Sequence, residues 1–187
     1  VAQQPTNRPL TGLLAWQAVV GQIRLQFELD SRLTVQVISE NEVLTWSASV
    51  VWGNHGQKVS GKTGINAALR DLWLAVESSQ TLFENPAIRQ KQPTGYAESD
   101  WVDAETITLL ARFINLANLV GGPYWDMIMI YEPVEAADAR FNISLLSDRL
   151  QTLLHGSGPT LLEACRVAYR ETAQYYATVK AKLHQNA

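Results

Sequence analysis

One cysteine in 187 residues leaves no internal disulfide to form, so an oxidising compartment is not implied. That cysteine and three scattered histidines show none of the close spacings that hold structural zinc. Long apolar runs are missing too. The most apolar early stretch, Leu10 to Gly21, falls short of the ~20 residues a helix needs to cross a bilayer. Its polar, Pro-containing approach does not read as the basic start of a signal peptide. Positive charge is not in excess: 15 Lys and Arg stand against 18 Asp and Glu, a net −3. With a pI near 5.6, the composition supplies no basic surface for nucleic-acid phosphates. No G-x-S-x-G elbow and no H-E-x-x-H helix occurs.

What is present is an ordinary globular composition, 47% apolar and 18% charged, which supports a core and excludes a disordered chain. The length suits one domain or two small ones packed together. Residues 1–9 read as a loose arm, 10–80 as a first α/β unit, 81–101 as a linker carrying Pro86, Pro93 and Gly95, and 102–187 as a second unit.

Leu10 to Val20 is expected to be a short buried helix. Three alternating stretches follow: Ile23–Leu29, Leu33–Val37 and Leu44–Trp52. Apolar residues at every second position, with short polar turns between, predict an antiparallel meander with one face toward water. A further short strand is expected at Gln57–Ser60. Thr63 is placed to cap a helix whose stripe is Ile65, Leu69, Leu72 and Val76.

In the second half Asp103 is expected to cap a helix ending at Gly121-Gly122-Pro123. Trp125–Tyr131 carries apolar residues on both faces, as a central strand would. Strands are expected over Ala139–Leu145 and Leu150–Leu154, then a turn at Gly156-Ser157-Gly158-Pro159. Thr160 and Glu163 form a capping box, T-x-x-E, opening a long helix to about Leu183.

The halves align. Trp46–Val51 lies against Phe141–Leu146, Gly61 against Gly156, and Val20-Gly21 against Val120-Gly121. The expected fold is therefore α+β: antiparallel meanders with helices packed on one face, in a two-fold internal repeat of helix, strands and helix. That order is similar to the general plan of small acidic secretion-chaperone-like domains. No motif accompanies the similarity, and no function follows from it.

One motif with chemistry stands out. Gly56-Gln57-Lys58-Val59-Ser60-Gly61-Lys62-Thr63 fits the phosphate-loop pattern G-x-x-x-x-G-K-[ST], which marks Gly56, Gly61, Lys62 and Thr63 as candidate nucleotide-binding residues. In such a loop glycines open backbone N–H groups to phosphate, Lys reaches the terminal oxygens and Thr holds Mg²⁺. Three features oppose this. The preceding strand alternates, as a half-exposed antiparallel strand does. Gln57, Lys58 and Val59 are bulky for such a loop. No β/α series follows.

Trp46, Trp52 and Trp125 could stack single-stranded bases from an open sheet; with polar residues on the opposite face, core positions fit them better. His55 and His155 sit beside similar Gly residues and read as turn histidines. Cys165 reads as a small core residue, and Asp126 and Glu132 as a solvated face rather than an acid–base pair.

The reading these observations favour is a non-catalytic module that binds another protein or a second copy of itself. The alternatives are nucleotide binding through residues 56–63 and single-stranded nucleic-acid binding through sheet aromatics. No catalytic residue, metal ligand or cofactor is assigned. Nucleic acid and membrane are not expected partners, and the expected location is the cytoplasm.

Overall fold

The computed structural model describes Trp16, Val20 and residues 31–78, 101–132, 141–150 and 152–185. The arm, the Ile23–Leu29 alternation and nearly all of the linker lie outside these residues. Nine elements follow in order: β1 (Ser31–Glu40), β2 (Val43–Trp52), β3 (His55–Lys62), α1 (Ile65–Ser78), α2 (Ala104–Gly121), β4 (Tyr124–Tyr131), β5 (Phe141–Leu146), β6 (Leu154–Gly158) and α3 (Leu161–Gln185). Trp16 and Val20 are helical and buried.

The strands form one antiparallel sheet in the order β3-β2-β1-β4-β5-β6. Two three-stranded meanders meet where β1 pairs with β4, from Leu33 opposite Tyr131 to Glu40 opposite Tyr124. Because side chains alternate, register decides which residues share a face. Leu33, Val35 and Val37 of β1 lie beside Met127, Met129 and Tyr131 of β4, and beyond those Phe141, Ile143 and Leu145 of β5; all are buried. Trp46, Trp52 and Trp125 join this inner face at 6%, 1% and 3% exposure. They are core, under the helices.

The turns explain themselves chemically. Asn41 and Glu42 join β1 to β2 with φ of 50° and 68°, the left-handed pair that a two-residue hairpin requires. Asn41 N–H donates to Pro123 O at 2.8 Å, which braces this hairpin against the α2–β4 junction. Gly53 (φ 53°) and Asn54 join β2 to β3.

In α1, Ile65, Leu69, Leu72 and Val76 are all buried against the sheet. At ~1.5–3 kcal/mol for each fully buried aliphatic side chain, this stripe outweighs a modest cap. The first helical bond runs from Ala68 N–H to the carbonyl of Gly64, so Gly64, and not Thr63, occupies the capping position. Asp103 does cap α2. Its carboxylate accepts from Thr106 N–H at 2.8 Å and from the Thr106 hydroxyl at 2.7 Å. Thr160 caps α3: its hydroxyl accepts from Glu163 N–H and donates to the Glu163 carboxylate. Helix α2 packs on both sheet and helix, with Phe113 edge-on to Tyr169 of α3 at 6.3 Å.

One strand falls elsewhere than expected. β6 is Leu154–Gly158, not Leu150–Leu154, and Gly156-Ser157-Gly158 is strand, not turn. The reason is space. A Cβ on Gly156 would sit 2.3 Å from Ala168 N and 2.5 Å from Ala164 O, and one on Gly158 would sit 2.9 Å from Ala164 N. The glycines let α3 lie on the strand at backbone distance, with Ala164 and Ala168, both 0% exposed, filling the seam.

Gly156→Ala is therefore expected to cost about 3 kcal/mol or more, the upper end for overpacking, because the opposing atoms are backbone and cannot turn aside. Ser157→Ala, one residue along on the exposed side, should stay within ~0.5 kcal/mol. Urea unfolding of both variants checks this; equal midpoints would contradict the seam.

Candidate functional site

The residues of the phosphate-loop pattern form a strand. Gly56 pairs opposite Val51, Lys58 opposite Ser49 and Val59 opposite Ala48, after which the register shifts and Lys62 stands opposite Trp46. Ser60 and Gly61 thus face the single residue Ser47, a β-bulge, and Gly61 supplies its left-handed φ of 72°. Gly56 and Lys62 lie at opposite ends of β3, roughly 20 Å apart at the usual rise per residue. Lys62 Nζ is 2.6 Å from Asp71 Oδ2 on α1. The hydrogen bond from Lys62 holds the Asp71 carboxyl below its usual range, aided by Arg70. Thr63 and Gly64 reach the rim of an apolar cleft of about 280 Å³ between β2, the start of α1, and α2, lined by Leu44, Trp46, Ile107 and Leu110.

The other candidates also sit apart. His55 opens β3 beside the Trp52 ring, while His155 is exposed in β6 at the opposite edge of the sheet, and is not in a turn. Cys165 is buried on α3, and burial pushes its thiol up to about 12, far from thiolate chemistry. Asp126 lies in β4 and Glu132 just past its end, six residues on and again roughly 20 Å away. Glu132 pairs with Arg32. Among the described residues no group of three His, Cys, Asp or Glu side chains could hold a metal ion.

What the structure brings together is the outer face of the sheet. Register places Arg32, Thr34, Gln36, Ile38 and Glu40 of β1 on it, with Val43, Thr45, Ser47, Ser49 and Val51 of β2. β4 adds Tyr124, Asp126, Ile128 and Ile130, and β5 adds Asn142, Ser144 and Leu146. Val43, Tyr124, Val51, Leu146 and Ile38 are 66%, 54%, 51%, 41% and 37% exposed. At one end lies an open depression of about 410 Å³ lined by Ile38, Glu40, Tyr124, Asp126, Leu146 and Asp148. From the neighbouring row Gln36 Nε2 donates to Asp126 Oδ2 at 2.7 Å, while Asp126 Oδ1 is buried with no donor. Burial raises the Asp126 carboxyl above its ordinary range, and the bond from Gln36 opposes that only in part. The alternation of β1 and β2 marked their outward residues in the sequence; only the pairing of β4 with β1 and with β5 sets Ile38 and Leu146 on either side of Asp126.

Comparison with family models, curated proteins and solved structures finds no match.

Four outcomes are expected here. Lys62→Ala should cost no more than ~1 kcal/mol, as for a largely solvent-screened ion pair. With its carboxyl depressed, Asp71 contributes stability that is full above its unfolded pKa near 3.8 and lost as pH falls through the lower folded value. A Mg²⁺-ATP or Mg²⁺-GTP thermal shift should be absent in wild type; a shift that disappears in Lys62→Ala would instead establish a phosphate site. Asp126 has the opposite sign. Its contribution is highest below the unfolded pKa near 3.8 and is lost as pH rises through the raised folded value. Asp126→Asn should then raise stability at pH 7 and leave it nearly unchanged at pH 3. The same effect at both pH values in urea unfolding would refute this.

Proposed function

We propose that this chain is a non-catalytic module that binds another protein or a second copy of itself through the outer face of its sheet. The observation that carries this is the row of exposed apolar side chains, Ile38, Val43, Val51, Tyr124 and Leu146, around half-buried Ile128 and Ile130 on a face opposite all three described helices. Exposed apolar side chains gathered toward the two ends of one sheet face, with Gln36, Ser47 and Ser144 between them, mark an interaction surface and have no stabilising use in an isolated chain. The described candidate catalytic groups stand too far apart to act together, and the tryptophans that could stack bases are buried beneath the helices. No described helix is long and apolar enough to cross a membrane.

We also infer that the two meanders arose as an internal repeat. The strand order reads outward identically from the β1–β4 joint. Trp46–Val51 and Phe141–Leu146 both fall in middle strands, and Gly61 and Gly156 both fall in the strand before a helix.

The test is a paired change on the face. Val43→Lys with Val51→Lys replaces two exposed side chains, so melting should be nearly unchanged. Wild type immobilised at native fold should retain a protein, either another chain or itself, that the double variant does not. Retention that is identical for both, or absent for both, overturns the reading.

A further inference from the structure

The outer face has a direction. Hydrogen-bond register arranges its side chains in rows across the sheet. Arg32 and Val51 share the row at one end, with Glu132 beside Arg32 as its ion-pair partner. Glu40, Val43 and Tyr124 share the row at the other end, next to the row of Asp126, Ile38 and Leu146. Between them runs a middle row of Ser144, Ile128, Gln36 and Ser47. Lys58 of β3, opposite Ser49, adds a second cation toward the Arg32 end. Glu40, Asp126 and Asp148 line the depression at the far end, whose lining carries no cation.

This pattern is complementary to itself when reversed. Turn a second sheet over about the middle row and lay it face to face. Strands then meet their own counterparts, running end for end. Arg32 of each copy comes opposite Glu40 of the other, and Val51 opposite Val43. Ile128, Gln36 and Ser144 lie on the axis and meet themselves. Every off-axis contact is made twice, as a closed two-fold interface requires.

We propose that this chain forms a homodimer by stacking these outer faces in that reversed orientation, with Arg32 of one copy paired to Glu40 of the other. Six strands ~4.8 Å apart and five rows at two-residue spacing give an area on the order of 600–800 Å² per copy. A stable interface of ordinary size needs ~800 Å² per partner. Stacked sheets cross at ~30°, which displaces the outer strands most and leaves the β1 and β4 contacts nearest the axis. A partner with a purely anionic surface would meet the acidic end of this face as like charge; a reversed copy meets it with Arg32, whose own partner Glu132 comes opposite Tyr124.

The inference rests on the outer face being the binding surface, and the experiment separates the two. Light scattering should give twice the 20.8 kDa chain mass. Arg32→Glu and Glu40→Arg should each weaken the dimer tenfold or more, and the two together should restore it, because the swap keeps the cross-copy pair. Ser144→Cys, on the axis row, should be linked to its own copy by a bismaleimide reaching the ~10 Å between stacked sheets. Cys165 is buried and should not compete, and Lys180→Cys on α3 should not be linked. A chain that is monomeric at ~100 µM, too weak for an interface of this size, overturns the dimer. So does a dimer that ignores both the charge swap and the Ser144 link. If a monomer still loses a retained partner protein on Val43→Lys with Val51→Lys, only the self-association fails. If face-dependent retention is absent as well, the binding reading fails with it.

Discussion

Everything in this molecule depends on the antiparallel ladder between β1 and β4. Each flanking meander alone is a three-stranded sheet with a free inner edge, open to pairing with another chain. Joining them satisfies both edges at once. It also places the apolar sides of four adjacent strands on a single face, from Trp46 through Val37 and Met127 to Leu145. That continuous surface is what the helices cover. Among the described strands the edges left over are β3, twisted by its bulge and carrying Lys58 and Lys62, and β6, only five residues long; both are poor templates for further strand addition.

The helical layer is held to this sheet at two different distances. α1 sits at ordinary side-chain spacing, with Ile65, Leu69, Leu72 and Val76 between it and the strands. α3 sits at backbone spacing over Gly156 and Gly158, with alanines instead of leucines in the seam. Close seating lets Phe113 of α2 meet Tyr169 and lets Arg166 of α3 reach Glu105. It also leaves Gly156 with no tolerance for a methyl group. All of this weight is on one side, so the opposite face keeps the polar and apolar mixture of a half-exposed sheet. There Asp126 is held between Ile38 and Leu146 with one oxygen undonated.

The phosphate-loop pattern shows how the same letters meet different demands. Gly61 answers a bulge that needs positive φ. Lys62 answers Asp71 one element away. Gly56 is tolerated where its missing Cβ faces the Val50 carbonyl at 3.1 Å. Each residue has a local reason in a β-hairpin, and no two of these reasons involve a shared ligand.

Alternation was enough to place β1, β2 and β4, because a strand with one buried face must repeat every two residues. Helical spacing was enough for the α1 stripe, and capping chemistry for the starts of α2 and α3. Those features are local: each is dictated by residues within a few positions of one another. β6 was not legible, since a strand of Leu, His, Gly, Ser and Gly has no apolar period and is a strand only because α3 presses on it. The candidate site was legible only in part. Which residues of β1 and β2 point outward follows from their own sequence. That Ile38 closes on Asp126, and that the outward residues of β1 and β2 share one face with those of β4 and β5, follow from strand pairing between segments some ninety residues distant. Register between such segments is set by fitting two apolar faces to a common helical layer, which is a property of the assembled core and not of any stretch of chain.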